Sequence, residues 1–191
     1  MITLITGGVK SGKSRRALEI TAAWQFPITF IATASTLDDE MRRRVENHKT
    51  ERAQFCAARG GLGICGHSIC GGIECTQNGF STIEEQLEID KALERASSRV
   101  IFDCVVMWIN NLIYYKREAD FEKILNSFLS VASAQKDDVV IVSNETGFGN
   151  IPCDELTRNF NLMLSHANRV IAQKADAVEI MVCGLPLKIK T

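Results

Sequence analysis

Eight residues near the start of the chain, GGVKSGKS, carry the side chains and the spacing that hold a triphosphate. They fit the pattern G-x-x-x-x-G-K-[ST] through Gly7, Gly12, Lys13 and Ser14. Glycine lets the backbone N–H groups from Gly8 through Val9, Lys10 and Ser11 turn inward around phosphate oxygens, and a helix starting just beyond adds its positive end. Lys13 then reaches the β- and γ-phosphates, and the Ser14 hydroxyl binds Mg2+.

A phosphate loop of this kind works with an acid at the end of another strand, which holds the Mg2+ shell. RVIFDC supplies Asp103 after a run rich in β-branched and aromatic residues. The plainer reading is an acid that solubilises a strand end. In SNETGFGNIP, Asn144 and Glu145 precede two glycines and Pro152. That pattern reads as a tight turn, and also as a carboxylate able to order Mg2+, water or substrate.

The third reactive group is His48, one of three histidines, in MRRRVENHKTER. On a helix it falls in line with Leu37, Met41 and Val45, so it reads as a partly buried imidazole continuing an apolar stripe. A neutral imidazole near a nucleotide can instead attack phosphorus and carry the group as a phosphoramidate. Spacing does not decide between the two.

The elements that must position these groups alternate. ITLITGG, PITFIATA, RVIFDC, DDVVIVSNE and AVEIMVCG are strand patterns. Helical patterns fall at KSRRALEITAAWQ, TLDDEMRRRVENHK with a Thr36 cap, TIEEQLEIDKALERA, FEKILNSFLSVASAQ and CDELTRNFNLMLSHANRVIAQKA. Such alternation means an α/β fold with a mostly parallel sheet, helices on both faces, and ligands at the carboxyl edge of the strands.

With 191 residues the chain makes a single domain with a real core. A net charge of −1 argues against a nucleic-acid partner. The N-terminus has no basic leader before an apolar run, and the longest apolar stretch is broken by Asp103, Asn110 and Asn111. A cytoplasmic protein with no membrane span is expected. Seven cysteines is an odd number and suggests no disulfide framework. Cys104, Cys153 and Cys183 read as small core residues. Cys56, Cys65, Cys70 and Cys75, with His67, crowd a Gly-rich segment at about 56–79 that has no sustained period. Without close C-x-x-C pairs it reads as an insertion loop ahead of a zinc site.

Taken in order, TGGVKSGKSRRA, FIATASTLDDEMRRRVENHKTER, VIFDCVVMWINNLI, VSNETGFGNIP and GLPLKIK resemble the bifunctional adenosylcobinamide kinase / adenosylcobinamide-phosphate guanylyltransferase family of cobalamin assembly. The resemblance implies a RecA-like P-loop fold and a homo-oligomer, trimeric in the family. It implies that ATP or GTP phosphorylates adenosylcobinamide. GMP then passes from GTP, through a guanylylated histidine at the position of His48, to give adenosylcobinamide-GDP and pyrophosphate. By the same resemblance Ala32, Thr33 and Ala34, then Lys49, Thr50, Glu51 and Arg52, and also Glu84 and Asp103, contact nucleotide. The insertion falls between parts of that guanine-nucleotide site. Two other readings share some of these features: a P-loop small-molecule kinase without guanylyl transfer, and a nucleotide-dependent binding protein that senses metal through the Cys-rich loop.

Overall fold

The computed structural model describes residues 1–24, 28–34, 39, 42–43, 46, 50, 69–70, 73–75, 80–96, 99–149 and 151–191. Its strands are β1 (Ile2–Gly7), β2 (Ile28–Ala32), β3 (Ile69–Cys70), β4 (Ile73–Cys75), β5 (Phe80–Glu84), β6 (Arg99–Asp103), β7 (Val139–Val142), β8 (Ala177–Val182) and β9 (Leu185–Lys190). The helices are α1 (Lys13–Thr21), α2 (Ile89–Arg95), α3 (Val105–Tyr114), α4 (Phe121–Ala134) and α5 (Glu155–Lys174), with a 3-10 turn at Glu118–Asp120.

One sheet runs β3-β4-β5-β2-β6-β7-β1-β8-β9. The run from β5 to β8 is parallel, and β3, β4 and β9 add antiparallel edges. A single strand, β7, separates β1, which leads into the phosphate loop, from β6, which ends in Asp103. That is the RecA-like arrangement the resemblance implied.

Side chains along a strand alternate between faces, so each central strand feeds two cores. Leu4, Ile31, Val100, Phe102, Val139 and Ile141 pack with α2, α3, α4 and α5 on one face. Ile5, Phe30, Ile101, Val140 and Val142 pack with Ala17 and Leu18 of α1 on the other. Phe102 and Phe128 meet in a tilted pair at 5.1 Å, and Trp108 and Phe121 stack at 5.5 Å, between ring centroids. Each such buried side chain contributes about 1.5–3 kcal/mol. Helices thus cover both faces, as the alternation predicted.

The structure departs from the sequence reading in three places, besides adding the edge strand β9 beyond the last strand pattern. TIEEQLEIDKALERA is not one helix: Thr82–Glu84 completes β5, and the helix starts at Ile89. Pairing with β2 on one side and β4 on the other outweighs the helical period there. Second, the segment expected to be a loop contains β3 and the hairpin partner β4, which extends the sheet from β5. Cys56, Cys65 and His67 lie outside the described residues. Third, Cys153 and Cys183 are exposed. Cys183 (φ 51°) and Gly184 (φ 83°) form the two-residue turn between β8 and β9, a hairpin geometry that needs both residues left-handed. Cys104 does pack against the α1-side core.

Candidate nucleotide site at the carboxyl edge of the sheet

The phosphate loop begins where β1 touches β8. Gly7 has φ +141°, and a Cβ there would stand 2.5 Å from the Met181 carbonyl oxygen. Only glycine fits. Lys10 (φ 55°) and Gly12 (φ 94°) complete the curl, and α1 starts at Lys13 with no side-chain cap on its first N–H groups. Those free donors and the helix dipole make the anion site that the motif predicts. Gly8, Val9 and Lys10 are exposed at the rim.

Lys13 is largely buried, and its Nζ donates to the Gly8 carbonyl at 2.5 Å. Burial pulls its pKa below the ordinary 10.5, and Cys104 and Asp103 partly offset that. A phosphate would therefore meet a poorly solvated ammonium, where charge pairing is stronger than in water. The Ser14 hydroxyl donates to Asp103 Oδ2 at 3.1 Å. Two hard oxygen donors this close suit Mg2+. Burial pushes the Cys104 thiol up to about 12, so it stays protonated and inert near neutral pH. Among the described residues, no cluster of three or more His, Cys, Asp or Glu side chains could hold a metal.

Sheet register sets where the other acids stand. Ala32 pairs with Asp103 on one side and with Glu84 on the other, so the three share one row. Two strand spacings, about 10 Å, separate Glu84 from Asp103, and four, about 19 Å, separate it from β1. Glu84 therefore stands well away from the strand that leads into the phosphate loop. Thr33 follows Ala32 and is locked to β6: its Oγ1 donates to the Cys104 carbonyl at 2.8 Å and accepts from the Cys104 N–H at 3.0 Å.

Glu145 runs beside the phosphate loop, its N–H donating to the Gly7 carbonyl at 3.0 Å. Its carboxylate accepts from the Gly147 N–H at 2.6 Å, so the tight-turn reading holds for this side chain. The exit of β7 is held from α5, where Asn168 accepts from Ser143 Oγ at 2.6 Å and donates to the Asn144 carbonyl at 2.7 Å.

Asp39, Arg42, Arg43, Glu46 and Thr50 have helical backbone, and Thr50 Oγ1 donates to the Glu46 carbonyl at 3.0 Å. Thr36, Leu37, Met41, Val45, His48, Lys49, Glu51 and Arg52 lie outside the described residues. Sequence reasoning overlooked the polar ties of Asn111 and Asn168. The signal was present: a buried amide in an apolar helix face must find partners.

The sequence profile of the family described as cobinamide kinase / cobinamide phosphate guanyltransferase matches residues 3–57 and 74–189. A bifunctional adenosylcobalamin biosynthesis protein, CobP, of Pseudomonas aeruginosa is 28% identical over all of this chain and 98% of its own length. The bifunctional adenosylcobalamin biosynthesis protein CobU of Escherichia coli is 28% identical over the whole of both chains. The Salmonella typhimurium CobU has the same identity and coverage. A solved KaiC-like protein, PH0186 from Pyrococcus horikoshii OT3, is 11% identical with a TM-score of 0.49, over 94% of this chain and 69% of that one. A phosphate loop, an acid two strands away and a profile match over most of the length converge, and the chain belongs to the cobinamide kinase / cobinamide phosphate guanyltransferase family.

Proposed function

We propose that this protein phosphorylates adenosylcobinamide with ATP or GTP and then converts the phosphate to adenosylcobinamide-GDP. The observation that carries the reading is the Lys13, Ser14 and Asp103 cluster at the carboxyl edge, in a chain of this family. In the first step the substrate hydroxyl oxygen attacks the γ-phosphorus, the bond to the β-phosphate oxygen breaks, and the hydroxyl proton is lost. Backbone N–H groups of Gly8 to Ser14 and the Lys13 ammonium hold the charge that shifts onto the leaving diphosphate. Ser14 and Asp103 would hold Mg2+, which when bound neutralises phosphate charge.

In the second step a His48 nitrogen attacks the α-phosphorus of GTP and releases pyrophosphate. A phosphate oxygen of adenosylcobinamide phosphate then attacks the same phosphorus and frees the histidine. Ala32, Thr33, Ala34, Lys49, Thr50, Glu51, Arg52 and Glu84 contact nucleotide in this scheme. The row of Glu84, Ala32 and Asp103 supports it by setting those acids along one edge. GTP labelled at the α-phosphate leaves acid-labile, base-stable label on the protein, and His48→Ala removes it. Label that persists in that variant excludes this nucleophile.

The protein works in the cytoplasm as a homo-oligomer, a trimer by resemblance. Exposed Leu185, Leu187 and Ile189 on β9, and Phe148, Ile151, Leu156 and Leu162 near the start of α5, are apolar surface that another copy would cover. No described helix is long and apolar enough to cross a membrane. A kinase-only reading has one observation in its favour. The profile match breaks between residues 57 and 74, and of the strands at that break β3 pairs with β4 and β4 with β5, which ends in Glu84. Product analysis separates the two, because a kinase alone stops at the monophosphate.

A further inference from the structure

We infer that Asn111 is a positioning residue for guanylyl transfer: it fastens the loop after β5 to the loop after β2, so that both meet one guanine nucleotide. The inference rests on the proposed function and concerns the guanine side of the edge rather than the phosphate loop.

Asn111 lies on α3 and is 1% exposed. Its side-chain amide donates to the Thr33 carbonyl at 2.8 Å and to the Gln86 carbonyl at 3.1 Å. Both amide hydrogens are thereby used, one on each loop. It has company on the same helix. Trp108 Nε1 donates to the Leu87 carbonyl at 2.9 Å, and the Tyr115 hydroxyl is 3.0 Å from Gln86 Oε1. Steps of three and four residues put Trp108, Asn111 and Tyr115 on one face of α3. That face is a row of donors aimed at residues 86–87.

The loop they hold is a stiff turn. Glu85 Oε1 accepts from the N–H groups of Leu87 and Glu88, each at 3.1 Å, and Glu85 Oε2 pairs with Arg95 at 3.2 Å. The parallel ladder itself stops at the Glu85 N–H, which donates to the Ala32 carbonyl at 3.0 Å. Beyond that point the bond to Asn111 is what ties the turn to the β2 side.

The two ends of this tie are not equally secured without it. Thr33 keeps two hydrogen bonds to Cys104, next to Asp103. Among the described residues, Gln86 keeps its side-chain bond to Tyr115 at the end of α3, and the next residue keeps its bonds to Trp108 and to the Glu85 carboxylate. Removing the Asn111 donors therefore unties the Gln86 carbonyl from the Thr33 side, while Glu84 keeps its pairing with Ala32 and Lys13, Ser14 and Asp103 stay in place. A fault there falls on the step that needs guanine held beside the histidine, and spares phosphorylation with ATP.

Asn111→Asp is nearly isosteric and turns the donor into an acceptor facing two carbonyl oxygens. Tyr115→Phe removes an exposed hydroxyl and keeps the core. Three readouts apply to each: labelling of the protein from α-labelled GTP, the GTP dissociation constant by calorimetry, and ATP-dependent phosphorylation of adenosylcobinamide. In Asn111→Asp we expect labelling and GTP affinity to fall about tenfold or more, the effect of one well-placed hydrogen bond. The ATP-dependent rate should stay within about 1.5-fold in both variants, while in Tyr115→Phe labelling and GTP affinity fall about threefold. A structural role alone lowers every readout in proportion to the folded fraction, and that parallel loss overturns the inference. So does an unchanged labelling rate and GTP affinity in folded Asn111→Asp. If Asn111→Asp does not fold, Tyr115→Phe decides by the same split. Wild-type protein that binds GTP yet neither labels nor phosphorylates refutes the functional reading instead, and GTP affinity still tests Asn111.

Discussion

Gly7→Ala is the sharpest test of how the phosphate loop is built. At φ +141° a side chain is strained whatever the space around it, at a cost of about 1–3 kcal/mol. The added methyl would also sit 2.5 Å from the Met181 carbonyl and 3.1 Å from the Met181 nitrogen, both backbone atoms of β8. Neither can rotate away, since Gly7 and Met181 are partners in the last rung of the β1–β8 pairing. Forcing the strands apart adds about 1–3 kcal/mol more. The sum, about 4 kcal/mol, lowers the melting temperature by about 8–16 °C in a domain of this size. Gly8→Ala is the control one residue on: a methyl group there would meet no atom within 4 Å, and the φ of Gly8 is ordinary. That variant should melt within about 2 °C of the parent, because a surface change costs under about 0.5 kcal/mol. Thermal unfolding followed by circular dichroism reads both. If Gly7→Ala melts as close to the parent as Gly8→Ala does, the argument from the β1–β8 approach is wrong.

Two further substitutions test what surrounds the loop. Glu179 on β8 is nearly buried, and Arg16 of α1 donates to it at 2.7 and 3.0 Å, which lowers the carboxyl below its ordinary 4.5. A depressed carboxyl adds stability that is present above 4.5 and lost as pH falls through the lowered value. Glu179→Gln should therefore cost about 1–3 kcal/mol near neutral pH, with the gap to the parent closing below about pH 4.5. Urea titrations across that range measure it, and a gap independent of pH rejects the assignment. Asn168→Leu removes the short bonds to Ser143, which is fully buried, and to the Asn144 carbonyl, leaving these two only the long 3.5 Å bond between them. A loss of about 2–4 kcal/mol at unchanged urea m-value is expected.

Local signals were legible and non-local ones were not. The GGVKSGKS run is read from adjacent residues, and strands such as VVIV declare themselves by β-branched side chains. FSTIE does not, because only its partners on either side make it a strand, and its last residues also satisfy a helical period. The β8–β9 hairpin did carry a local sign, a two-residue Cys-Gly turn followed by the alternation of LPLKIK. Asp103 could be proposed from a strand end, and Thr33 comes from the family resemblance. That Thr33 is bonded to the residue after Asp103 depends on β2 and β6 being neighbours, which no window of sequence contains.

Register explains how one edge can serve two nucleotide chemistries. Asp103, Ala32 and Glu84 share a row, yet β1 and its phosphate loop lie two strands beyond Asp103 in the other direction. β1, which leads into the phosphate loop, and β5, which ends in Glu84, are then about 19 Å apart across the sheet. Cations and helix N–H groups govern the first end, and acids and loop carbonyls the second. In the proposed scheme the reactive phosphorus changes from γ to α between the two steps. Thr33 and Asn111 tie the middle of the row together with hydrogen bonds that neither step consumes. A buried polar network of that kind, when every member is satisfied, rigidifies the segments it joins and helps to specify one packing.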